Sequence, residues 1–133
     1  MRSGASERIH ARHRLTASAD FAAVKSQGRA FRGAHCVLVA HPVPGEITRI
    51  GFVASKRGVG GAVQRNRARR RLREIVRRRW PRVPVTGFLL MFVAYRSATT
   101  APHQDLASDV ERVLAAAGAL SPIATRMLPE GAA

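Results

Sequence analysis

From Gly61 to Pro81 the chain permits one secondary structure and essentially one way of docking it. Ala68, Leu72, Ile75, Val76 and Trp80 recur at i, i+4, i+7, i+8 and i+12, a single apolar stripe at helical period. A helical wheel places Asn66, Arg70, Arg73 and Arg77 in one row on the opposite side, flanked by Arg67, Arg69 and Arg78. Like charges at i,i+4 repel, so this helix needs a sheet under its stripe and a counter-charge over its other face. The run from Lys56 to Arg82 holds 12 of the 23 lysines and arginines and one acid, Glu74, and so carries +11 of the +15 net charge. A solvated helix face mixes its signs, and this one does not. A one-signed strip points to a polyanion, bound by releasing the counterions condensed on its phosphates.

The remaining pattern supplies the sheet. Ser18 is placed to cap a short helix with Asp20 in its first turn, Phe21 and Val24 on one face and Gly28 just past its end. A short edge strand is expected around Ala30 to Arg32, and His35 to His41 has the content of a buried strand. Pro42-Val43-Pro44-Gly45 reads as a turn, with Arg49 to Ala54 as the hairpin partner. Phe88 to Tyr95 is nearly all apolar, as a central strand covered on both faces must be. Leu106, Val110, Val113 and Leu114 give a last helix its core face, with Gly118 as its stop. The order helix-strand-strand-strand-helix-strand-helix is that of a small α-β sandwich of the α+β class. Residues 1–13 read as a flexible basic arm, 14–118 as a single RNA-binding domain and 119–133 as a tail.

Few residues offer chemistry of their own. Eight acids are scattered, and only Asp105 and Asp109 share a helix face at i,i+4, which solvation of an amphipathic helix explains. His10 with His13, and His35 with His41, lack a third metal ligand nearby. We therefore expect neither a catalytic residue nor a metal site in the protein. The lone Cys36 excludes an internal disulfide and fits a reducing compartment, so the expected location is the cytoplasm. The glycines of S-K-R-G-V-G-G, residues 55–61, lack the spacing of a nucleotide P-loop. Still, amides at the start of a helix beside Lys56 and Arg57 suit a backbone phosphate. Among the aromatic residues, Phe21 is the one expected to meet a base.

The string G-F-V-A-S-K-R-G-V-G-G-A-V-Q-R-N-R-A-R-R-R-L-R-E, residues 51–74, resembles the signature of the protein component of bacterial ribonuclease P. Upstream, R-L-T-A-S-A-D-F, residues 14–21, is similar to that family's opening segment, and the resemblance runs from about Arg14 to Gly118. It implies an α-β sandwich with a left-handed crossover through the basic helix. It also implies a shared activity, endonucleolytic maturation of the tRNA 5′ end. In that division of labour a catalytic RNA and the substrate hold Mg²⁺ and the protein assists. By that likeness Arg14, Lys56, Arg57, Arg65, Asn66, Arg67, Arg69, Arg70, Arg73 and Arg77 contact RNA. A cleft between the first helix and the sheet, at Phe21, Lys25 and Val39, holds the 5′ leader of precursor tRNA. Many members carry an aromatic four residues after the D-F phenylalanine and a tyrosine after V-L; this chain has Lys25 and Val39. Nor has the family's acid before the fourth strand's end a counterpart near Leu90. Leader holding is thus expected to depend more on charge. The expected partners are the catalytic RNA and precursor tRNA, with no membrane and no obligate protein partner.

Overall fold

In a computed structural model that describes residues 9–121, three helices enclose one four-stranded sheet. The elements are α1 (Ser18–Gln27), β1 (Arg29–Arg32), β2 (Cys36–Ile47), β3 (Arg49–Val53), α2 (Ala62–Arg79), β4 (Thr86–Ala94) and α3 (His103–Ala116). Single 3₁₀ turns stand at Ala11–His13, Trp80–Arg82 and Arg96–Thr99. The strand order is β1-β2-β4-β3, with β3 parallel to β4 and the other pairs antiparallel.

As its composition demands, β4 is central. Leu90 and Phe92 face one side, in the core formed with Ala68, Leu72, Ile75 and Val76 of α2 and Leu106, Val110, Val113 and Leu114 of α3. Leu89 and Met91 face the other, packed with Leu15 and with Val24 of α1. The stripe read from the sequence is therefore the docking face of α2, with Trp80 half-buried at its end. Gly118 (φ +79) closes α3 in the left-handed conformation. Its amide bonds the Ala115 carbonyl and the Ala119 amide bonds that of Leu114, the paired bonds of a Schellman motif.

Four expectations change. The predicted hairpin does not exist: β2 runs on through Pro42 and Pro44 to Ile47, and β4 lies between β2 and β3. Beyond Ala40, β2 has outrun β1 and keeps only β4 as a neighbour. Two prolines at i and i+2 place both missing amides on the same side, as an open edge permits. Residues 9–13 are not a free arm, because Ile9 is in the core and His13 is buried against Thr48 and Trp80. Nor is the tail wholly separate: Ala119 is buried, and Ser121 exchanges two hydrogen bonds with Arg82. Residues 1–8 and 122–133 lie outside the described range. Finally, the cap of α1 is Ala17, with Ser18 the first helical residue.

Candidate nucleic-acid interface

The interface begins at the turn after β3. The Ser55 hydroxyl accepts from the Gly58 amide at 2.8 Å, and buried Val59 anchors the loop, which leaves Lys56 and Arg57 exposed. Gly60 has φ +135, a conformation that favours glycine, and Gly61 caps α2 without any side-chain bond. No acid lies in the first turn of α2, so its leading amides point outward unneutralised beside two cations.

Along α2 the arginines divide by task. Arg67 donates from Nε to the Thr99 carbonyl at 2.7 Å, while Arg71 reaches the carbonyls of Ala98 (2.8 Å) and Ala101 (2.5 Å). Arg79 binds the Glu111 carboxylate at 2.7 Å and the Ile75 carbonyl at 2.9 Å. These three tie the helix to the chain around Thr99 and to α3. Arg65 braces the loop through the Gly60 carbonyl at 3.0 Å, and Arg69 donates to the Asn66 side chain at 2.5 Å. Arg70 is exposed and makes no hydrogen bond or ion pair among the described residues. The exposed row of the wheel is thus present at Asn66, Arg70 and Arg73, with Arg77 half-buried beside it. Glu74 bonds Arg77 at 2.5 Å. That bond, together with the charges of Arg77, Arg78 and Arg73, holds its carboxyl below the usual carboxylate range.

A cavity of about 590 Å³ opens beside this row, between α1, the outer edge of β3 and α2. Arg14 reaches it from a single β-bridge to Ile50, Phe21 from α1, and Arg73 and Arg77 from α2. Phe21 is half-buried: its ring packs over Gly51, where an added Cβ would stand 3.2 Å from it, and it also lines the cavity. Arg73 lies over the Phe52 ring, 5.5 Å from its centre, and Phe52 stacks on Phe92. Phe52 packs against the core and, because it stands on the edge strand, also lines the cavity. Lys25 and Val39 are not in the lining. Lys25 is exposed on the last turn of α1, and Val39 lies under the end of that helix against Gly28.

The remaining chemical candidates are structural. Asp109, expected on a solvated face, is buried and accepts from the amides of Ala34 (2.8 Å) and His35 (2.9 Å) and from Arg112 (2.6 Å). It locks the β1–β2 turn. Burial, and then the neighbouring Asp109 charge, push the Cys36 thiol up to about 12. His35 bonds Ser97 and His13 bonds the Thr48 carbonyl. Among the described residues no three His, Cys, Asp or Glu side chains form a group that could hold a metal ion, and no helix is long and apolar enough to cross a membrane.

These features define a class: a single-domain α+β protein that presents an arginine-faced helix beside a cation-lined cavity. The family model described as Ribonuclease P matches residues 9–118. Among curated proteins, the ribonuclease P protein component of Symbiobacterium thermophilum is 39% identical over 109 residues, covering 81% of this chain and 93% of its own. That of Streptomyces avermitilis is 40% identical over 113 residues, covering 77% and 89%. The Staphylococcus aureus RNase P protein structure shares the fold with a TM-score of 0.70 at 22% identity, covering 82% of this chain and 98% of that one. The RNase P protein from Thermotoga maritima does so at 0.67 and 22%, covering 77% and 96%. This chain belongs to the ribonuclease P protein family.

Proposed function

We propose that this protein binds the catalytic RNA of ribonuclease P and the 5′ leader of precursor tRNA, and so assists the cut that matures the tRNA 5′ end. One observation carries the reading: α2 turns Arg70 and Arg73, beside neutral Asn66, to solvent and begins without a side-chain cap next to Lys56 and Arg57. Guanidinium groups in a fixed row match phosphates by bidentate hydrogen bonding, and the helix start adds amides for another. Arg65, Arg67 and Asn66 shape the row, each held by at least one internal bond; Arg70 and Arg73 extend their charges outward.

The leader lies on the α1 side, in the cleft at whose β3 end Arg14 and Phe21 line the cavity. Phe21 contributes its ring and Lys25 its charge, while Val39 acts from beneath by supporting the end of α1. A surface built from guanidinium groups repels Mg²⁺, so the ion's ligands come from the RNA subunit and the substrate. The protein's part is to bring two polyanions together at the metal that the RNA holds, in the cytoplasm.

The test is reconstitution. Purified protein should leave precursor tRNA intact, and adding the cognate catalytic RNA with Mg²⁺ should give one cut at the mature 5′ end. Cleavage by RNA-free protein that Asp105→Ala abolishes would overturn the reading.

A further inference from the structure

The register of the sheet sets side by side four residues that are far apart in sequence. Arg32 of β1 pairs with Val37 of β2, Val37 with Val93 of β4, and Val93 with Val53 of β3. Partners in a ladder share a face, so the four form one row straight across the sheet. It is the α1 face, because Val53 and Val93 pack with Val24, Leu89 and Met91. α1 itself crosses one row away: Phe21 near its start rests on Gly51, and Gly28 at its end presses on Val39. Gly51, Met91 and Val39 are themselves aligned in register. The valine row therefore lies directly beside α1, about 7 Å further along the strands. Val53 and Val93 are only half-buried in it.

Tyr95 stands one row further on. β4 ends at Ala94, but Tyr95 remains extended (φ −91, ψ 164) and its amide still bonds the His35 carbonyl of the neighbouring chain segment. Alternation thus continues, and the side chain falls on the face of Val93 and Met91. The ring is half-buried, has no ring contact, and its hydroxyl has no hydrogen-bond partner within the described residues. Cations stand around this groove: Arg32 at its β1 end, Lys56 and Arg57 just past its β3 end, and exposed Arg96 next to Tyr95.

We infer that Tyr95 is the stacking platform of this groove, taking one unpaired base of the leader while the flanking cations hold its phosphates. An apolar floor with a partnerless ring at one wall and only positive charge at its ends suits single-stranded RNA, whose unstacked bases bind rings without regard to sequence. This rests on the leader-cleft reading above and extends it to a residue on the opposite side of the groove from Phe21.

The experiment measures holoenzyme affinity for precursor tRNA and for mature tRNA, with Tyr95→Ala, Tyr95→Leu, Tyr95→Phe and Phe21→Ala proteins, and the melting temperature of each. Tyr95→Ala and Tyr95→Leu should bind the precursor more weakly by roughly 5- to 150-fold, the range for loss of one stacked ring. Tyr95→Phe should bind as wild type, and mature tRNA should bind all four alike. Tyr95→Leu keeps the packing without the ring, so it answers the question even if the alanine protein is unstable. The inference fails if Tyr95→Leu binds the precursor as wild type does, or loses equally on mature tRNA. Should the wild-type holoenzyme not distinguish precursor from mature tRNA at all, the leader-cleft reading falls with it. If Phe21→Ala lowers that distinction and Tyr95→Leu does not, only the present inference falls.

Discussion

The carboxylate of Asp109 occupies the space that a side chain on Gly33 would need: a Cβ there would stand 2.5 and 2.6 Å from its two oxygens. Helix α3 and the β1–β2 turn are fitted to each other at this point. Gly33→Ala should displace the carboxylate from the Ala34 and His35 amides. Asp109→Ala should leave both part-buried amides without their acceptor, while Arg112, more than half exposed, turns to water. A buried donor left unpaired costs about 1 to 3 kcal/mol. Denaturant unfolding should therefore show both variants destabilised, and the double variant less so than the sum of the two. Additive losses would mean that the two residues act independently.

Arg70 and Arg71 are adjacent but should behave as different kinds of residue. Arg70→Ala should leave the melting temperature unchanged and flatten the log-affinity versus log-salt slope for RNA by roughly 0.7 to 0.9, one phosphate contact. Arg71→Ala removes the donors to the Ala98 and Ala101 carbonyls and should cost about 1 to 3 kcal/mol of stability. Leu72→Ala, fully buried in the core, should cost about 2 to 5 kcal/mol. A neutral Leu72→Ala together with an unstable Arg70→Ala would reverse the docking of α2.

Cys36 links stability to alkaline pH. Its thiol pKa is raised from 9.0 to about 12 in the folded protein, so between those values the unfolded chain loses a proton that the folded chain keeps. Stability contributed by the neutral thiol is thus present below pH 9 and declines as pH rises toward 12. Unfolding curves should show wild type losing more stability than Cys36→Ala over that window. Parallel curves would refute the linkage. The native thiol should also resist alkylation at pH 8.

Gly28 is required for its lack of a side chain, not for its backbone angles, since φ is −76. A Cβ would lie 2.5 Å from the Val24 carbonyl and 2.7 Å from the Val39 side chain. Gly28→Ala should destabilise the protein, and adding Val39→Ala should restore part of the loss. The backbone clash remains, so full recovery would show that Val39 alone set the constraint.

The docking of α2 was legible because a stripe at period 3.6 beside unbroken arginine has one physical solution. β4 was legible because a run buried on both faces can only be central. Strand partnership was not. Pro42 to Gly45 carries every local sign of a turn, yet β2 passes through it, because the partner that orders it, β4, lies more than forty residues away. The same limit applies to Asp109. Its spacing from Asp105 described a wet helix face, and only the approach of the Gly33 turn made it a buried anchor.

Periodicity and charge are local properties of the chain, and they alone require one helix to turn a dry side inward and a cationic side outward. Which arginines remain for RNA was decided by tertiary structure. Arg67, Arg71 and Arg79 bond to carbonyls and a carboxylate brought in from residues 98–111, and Arg70 does not. The groove beside α1 likewise exists only once Arg32, Val37, Val93 and Val53 are aligned by strand register. A helical wheel shows where a guanidinium points, but its available partners are set by what the rest of the chain packs against it.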